Sequence, residues 1–185
     1  LISGGMAQWK DPLEPRDGVF GHDFPFAEIY DPEAGVFQEL PNRSRTIALS
    51  HPDTNKEISG PGLMNSSHAY DSPHVLLRDG RVLFSGGHLG WWARTGTFGF
   101  SQLEFPEIFD PQSGLFSDVS YSANNNIIWS PFGHHVMAEL DNGIVFLAGG
   151  MYLVDSKNIA SSKVSLYNPI GNLWVGSGSL QLGRI

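Results

Sequence analysis

Short apolar runs closed by glycine, proline, aspartate or asparagine make up this chain, and no run keeps a helical period. Runs of this length between turn signals read as strands. The clearest stretch is 72–120. It reads Ser-Pro-His-Val-Leu-Leu-Arg-Asp-Gly, then Arg-Val-Leu-Phe-Ser-Gly-Gly, a loop, Phe-Pro-Glu-Ile-Phe-Asp-Pro, and Gly-Leu-Phe-Ser-Asp-Val-Ser. Asp79-Gly80 predicts a two-residue type I′ hairpin, whose central positions both need positive φ. Asp110-Pro111-Gln112-Ser113-Gly114 predicts a second turn, with proline fixing φ. Four strands so joined form one antiparallel meander.

The unit recurs. Downstream, Val136–Leu140 leads through Asp141-Asn142-Gly143 into Ile144-Val145-Phe146-Leu147-Ala148-Gly149-Gly150, then Lys163–Pro169 and Asn172–Val175. Upstream, Leu1-Ile2-Ser3-Gly4-Gly5 precedes Ala27-Glu28-Ile29-Tyr30-Asp31-Pro32 and Gly35-Val36-Phe37. The aromatic pairs Tyr30/Phe37, Phe109/Phe116 and Tyr167/Trp174 are each seven apart. Repeat logic places Tyr30, Phe109, Phe116, Tyr167 and Trp174 in the core.

A double glycine after an apolar strand, followed by a spaced aromatic pair, resembles the kelch repeat. The resemblance implies an all-β, kelch-type β-propeller, here about three four-stranded antiparallel blades of a larger ring. Part of one blade covers 1–40, a long inter-blade insertion 41–71, a blade 72–120, a further blade 134–178, and the start of another 179–185. Arg45–Leu49 is a candidate extra strand within the insertion. Propellers use about 4–8 blades. The expectation is that the remaining blades come from the rest of a longer chain or from an oligomer.

In such a blade the first-to-second and third-to-fourth turns share one rim, and the other connections share the opposite rim. Here the former are minimal and the latter long. Long connections on a rigid scaffold are where binding concentrates. The loops at 5–30 and 88–104 carry Trp9, Asp11, His22, Asp23, Trp91, Trp92, Arg94 and Phe98. Flat rings with polar tips suit a glycan or a protein ligand. Trp9, His22, Asp23, Trp91, Trp92 and Arg94 form the candidate ligand-binding set. Anchoring of long loops is the alternative use of the same rings.

Composition narrows the partners. Among 185 residues, 41% are hydrophobic, which suits a globular protein, and the formal net charge is −8. That balance argues against general nucleic-acid binding. There is no cysteine, so thiol chemistry is absent. No apolar run approaches the ~20 residues of a membrane helix. The compartment is left open by these features, with an extracellular or cell-surface setting the expectation. No phosphate loop or nucleophile elbow is present.

His68, Tyr70, Asp71, His88, His134 and His135 fall near strand ends and form a candidate polar ring at the channel mouth. Their other reading is hydrogen bonding to strand-end backbone. Glu28 and Glu107 occupy matching positions, taken by Ser165 in the last repeat, and read as structural. No tight metal-ligand motif occurs. The segment Tyr70-Asp71-Ser72-Pro73-His74-Val75-Leu76-Leu77-Arg78-Asp79-Gly80-Arg81-Val82 is similar to a strand of the galactose oxidase family, in which a Tyr-His pair binds copper. That resemblance implies copper as cofactor and oxidase activity. Tyr70 matches the tyrosine, Asp71 stands in the histidine's place, His134 holds it in the next repeat, and the family's cross-linked cysteine is missing. The reading is therefore a binding module on the long-loop rim. A copper oxidase and a structural scaffold are the alternatives.

Overall fold

The computed structural model describes residues 2–3, 6–9, 20–23, 27–40, 47–51, 54–58, 68, 72–86, 88–92, 98–102, 106–119, 133–154 and 157–184. Every regular element among them is a strand. In chain order these are β1 (Ile2–Ser3), β2 (Met6–Trp9), β3 (Phe20–Asp23), β4 (Ala27–Asp31), β5 (Val36–Glu39), β6 (Ile47–His51), β7 (Thr54–Ile58), β8 (His74–Leu76) and β9 (Val82–Phe84). They continue with β10 (His88–Trp92), β11 (Phe98–Gln102), β12 (Glu107–Asp110), β13 (Leu115–Asp118), β14 (Gly133–Glu139), β15 (Val145–Val154), β16 (Lys157–Asn168) and β17 (Leu173–Arg184).

Three sheets follow the repeat: β1-β4-β5, β8-β9-β12-β13 and β14-β15-β16-β17. Each is antiparallel throughout. The protein is thus all-β, and none of these sheets closes on itself.

The stretches read as loops carry strands of their own. Residues 5–30 contain the hairpin β2–β3, 88–104 the hairpin β10–β11, and 41–71 the hairpin β6–β7. In the last sheet β15 and β16 continue past Met151 to pair as far as Val154↔Lys157. Residues 179–184 stay in β17, paired to β16 at Lys163↔Ser179 and Ser161↔Arg184. Extended backbone needs partners for its N–H and C=O groups, and neighbouring extended segments supply them. Alternating apolar and polar positions were sparse there, so the sequence signal was weak.

The hairpin turns also differ from expectation. At 77–81 the Gly80 N–H donates to the Leu77 carbonyl (2.9 Å) and the Leu77 N–H to the Arg81 carbonyl (2.8 Å). Gly80 has φ 89°, and Asp79 is not among the positive-φ residues. This is a three-residue loop, a type I turn closed by a left-handed glycine, rather than type I′. The Asp79 carboxylate explains the choice, because its Oδ1 accepts the Arg81 N–H at 3.0 Å. The 140–144 turn repeats the geometry, with Asn142 Oδ1 accepting the Ile144 N–H at 3.1 Å.

Alternation along the central strands sends side chains into two cores. Leu83 and Ile108 join Leu77, Val119, Val145, Leu147, Tyr167 and Trp174, between the second and third sheets. Phe84, Phe109 and Phe116 join Ala27 and Leu40, between the first and second. The second sheet is buried on both faces, which accounts for its near-continuous apolar runs. Tyr30 is the exception to the repeat-core expectation: it is 44% exposed, and among the described residues no sheet lies against its side of β4.

A polar clamp joins the second and third sheets at their tight turns. The Arg81 guanidinium donates to Asp79 Oδ2 (2.7 Å) and to the Pro169 carbonyl (2.8 Å). The Arg78 N–H donates to Glu139 Oε2 at 2.8 Å, and its guanidinium reaches the Asp141 carbonyl. These contacts put the 77–81, 140–144 and 168–172 turns on one rim. The long connections leave from the opposite strand ends.

Candidate functional site

On the long-connection side, the two hairpins join edge to edge. The fourth sheet has the order β11-β10-β3-β2, and Trp91 pairs with His22. One row across it reads Ala7, His22, Trp91, Gly99. Sequence places β3 before the first sheet's β4 and β10 after the second sheet's β9, so the joined hairpins link successive repeats. Five of the six ligand-binding candidates therefore share one sheet: Trp9 in β2, His22 and Asp23 in β3, Trp91 and Trp92 in β10. Backbone alternation assigns the positions of Trp9, His22 and Trp91 to one face and those of Asp23 and Trp92 to the other. Arg94 and Asp11 lie outside the described residues. Phe98 opposes Trp92 in β11.

The channel-mouth candidates divide differently. Tyr70 and Asp71 lie outside the described residues, and His88 begins β10. His68 is buried. Its Nε2 lies 2.8 Å from Glu107 Oε1, and both side chains are almost fully enclosed. This is a close polar approach that does not make a hydrogen bond at Nε2. On the other ring edge, Nδ1 lies 2.7 Å from the Gly86 carbonyl oxygen. A carbonyl only accepts, so Nδ1 carries a hydrogen and donates it.

Ser72 Oγ lies 3.3 Å from the same Nδ1 and donates to the Ser85 and Gly86 carbonyls. Serine, histidine and glutamate in a row have the composition of a nucleophile triad. The proton accounting removes that chemistry: Nδ1 has no lone pair to receive the Ser72 proton. The cluster is a clasp. It ties the connector at 68 to the glycine doublet of the second strand and to the third strand. Sequence reading separated these residues, although a glutamate inside the apolar run Pro-Glu-Ile-Phe signals a buried partner.

His134 and His135 stand together in β14 but in opposite environments. His134 is exposed and adopts φ 60°, rare for a residue with a Cβ. His135 is 4% exposed, and neither ring nitrogen has a hydrogen-bond partner among the described residues. Burial, with a smaller contribution from His134, pushes its pKa down to about 4. Where the second sheet seats the small Ser72 beside His68, the third seats His135 itself. Glu107 and Ser165 are buried at their matching positions, whereas Glu28 is exposed.

No family model matches the chain, and no curated protein matches it. The fit to copper rests on the residues alone. Among the described residues, no three of histidine, aspartate and glutamate gather closely enough to hold a metal ion. No described helix is long and apolar enough to cross a membrane.

Proposed function

We propose that this chain is part of a kelch-type propeller and acts as a binding module for a glycan or protein ligand, through the side bearing its long connections. The observation that carries the reading is the union of two separate connections in one sheet, with Trp91 paired to His22. Connections that merely tolerated insertion would have no reason to share a ladder. Here hairpins from two repeats build one surface, which brings tryptophan and histidine positions from distant sequence into a single row. The propeller reading is supported by three antiparallel sheets in repeat order, by the shared rim of the second and third sheets' tight turns, and by the alternation of β9 and β12 into two cores.

The remaining blades are supplied by a longer chain or by an oligomer, and the ligand contacts the β2-β3-β10-β11 sheet. Titration of a broad oligosaccharide panel, followed by tryptophan fluorescence, tests the module. A saturable change lost in Trp91→Ala is the expected result. No response to any glycan, together with no protein captured in a Trp91-dependent manner, overturns it.

A further inference from the structure

The turn at 140–144 holds an asparagine in the sequence setting that most favours loss of its side-chain amide. Asn142 precedes Gly143, and Asn-Gly occurs nowhere else in the chain. Glycine has no Cβ to shield its nitrogen, so in a flexible chain the Gly143 nitrogen swings freely onto the Asn142 Cγ. Asn142 is exposed, so water has access to it.

The folded turn withholds both reacting groups. The Gly143 N–H donates to the Leu140 carbonyl at 2.9 Å. Asn142 Oδ1 accepts the Ile144 N–H at 3.1 Å, which ties the side-chain amide to Ile144. A third restraint comes from the second sheet. The Arg78 guanidinium donates to the Asp141 carbonyl and so fixes the peptide group that enters Asn142, while the Arg78 N–H donates to Glu139 Oε2 at 2.8 Å. Joining Asn142 Cγ to the Gly143 nitrogen requires these bonds to be released.

We propose that Asn142 is a latent deamidation site and that Arg78, from the neighbouring sheet, guards it. Once the turn opens, the Gly143 nitrogen gives its proton to hydroxide and attacks Asn142 Cγ. The N–Cγ bond forms, the Cγ–Nδ2 bond breaks, and Nδ2 leaves as ammonia with a proton from water. A second water splits either C–N bond of the cyclic imide. One product is aspartate. The other is isoaspartate, in which the backbone runs through the former side chain.

The repeat shows how the fold receives each product. At the matching position of the second sheet, Asp79 Oδ1 accepts the Arg81 N–H at 3.0 Å, the same contact that Asn142 makes. Aspartate at 142 therefore keeps the turn. Isoaspartate adds a backbone carbon to a loop whose ends are tied by the Leu140 N–H donating to the Ile144 carbonyl at 2.8 Å. It disrupts the turn, and with it the seat of Arg78 on Asp141. Modification of Asn142 thus follows a loosening of the joint between the second and third sheets and makes that loosening permanent.

The test incubates the 185-residue chain in mildly alkaline buffer, folded and in guanidinium chloride, and follows each asparagine by peptide mass spectrometry. In denaturant, Asn142 is expected to be the first asparagine lost. In the folded chain its loss is expected to be slower by about tenfold or more, the effect of first opening the turn's hydrogen bonds. Arg78→Ala is expected to speed the folded rate by about three- to tenfold and to leave the rate in denaturant unchanged. Circular dichroism confirms that the variant folds, and Glu139→Ala, which removes the acceptor of the Arg78 N–H, replaces it if it does not. Asn142→Asp is expected to melt with wild type, and the isoaspartate fraction of aged protein to melt lower. Equal rates folded and denatured overturn the protection by the turn. A folded rate indifferent to the clamp variant overturns the guard, and another asparagine reacting first in denaturant overturns the site.

Discussion

His68 Nε2 and Glu107 Oε1 lie 2.8 Å apart in the interior of the second sheet, where Glu107 is 1% exposed. Removing Glu107 takes away one polar contact of the buried His68, which keeps its hydrogen bond to the Gly86 carbonyl. A buried polar group that loses a partner costs about 1–3 kcal/mol. Glu107→Ala is expected to fall in that range by urea unfolding. Glu28→Ala, at the matching but exposed position of the first sheet, should stay within about 0.5 kcal/mol. Equal effects at the two positions would mean that the clasp adds nothing to stability.

His135 makes stability depend on pH in a defined window. Its folded pKa is lowered to about 4 from the ordinary 6.5. Between these values the unfolded chain binds a proton that the folded chain refuses, so unfolding becomes easier as pH falls. The contribution is complete above pH 6.5 and lost on descending to about 4, in total about 3 kcal/mol. Denaturant midpoints measured from pH 7 to 5 should decline in wild type, ahead of most carboxylate titration. His135→Leu should flatten the decline. An unchanged slope in that variant would place the proton uptake elsewhere.

The central meanders were legible because two-sided burial writes apolar runs into β9 and β12, because β15 and β16 bury one face of an alternating pattern, and because aspartate or asparagine, proline and glycine mark the tight turns. The hairpins β2–β3 and β10–β11 were not, since glycines and polar residues interrupt any period-two pattern, while the candidate strand at 45–49 overlaps β6 without its partner β7. The edge that joins those two hairpins, Trp91↔His22, lies between segments distant in sequence. The turn at 77–81 was placed correctly but mistyped, because the Asp79 side chain, rather than its backbone freedom, settles the loop. Tyr30 reads as core from its repeat and is exposed from its surroundings: a pattern reports which face is apolar, not whether something covers it. The pairing of His68 with Glu107 spans 39 positions in sequence, and only the fold brings the two together.

The glycine doublet makes a separate demand. Gly149 has φ 73°, and a Cβ there would lie 2.9 Å from the Arg184 carbonyl oxygen. Gly80 has φ 89° with open space around it. Alanine at Gly80 meets only the left-handed penalty of about 1–2 kcal/mol. Alanine at Gly149 meets that penalty and must also displace the β17 backbone. Gly149→Ala is therefore expected to lower the melting temperature more than Gly80→Ala does. Deleting residues 181–185 should narrow the gap between them. A gap that persists in the shortened chain would show that crowding by β17 is not its cause.

Adjacent tryptophans on one strand offer an internal control for the binding module. Alternation puts Trp91 and Trp92 at positions on opposite faces of the β2-β3-β10-β11 sheet. A ligand lying on one face feels one of them. The face holding the positions of Trp9, His22 and Trp91 gathers three of the candidates from three strands, so it is the one assigned to the ligand. Trp91→Ala is expected to weaken binding at least tenfold, about the loss of one stacked ring or central anchor. Trp92→Ala should leave affinity within about threefold and act, if at all, on stability. The two variants compared by titration and by thermal melting separate the roles. Reversal of the two affinities would move the ligand to the Trp92 face. Equal, small losses from both would remove the sheet from recognition altogether.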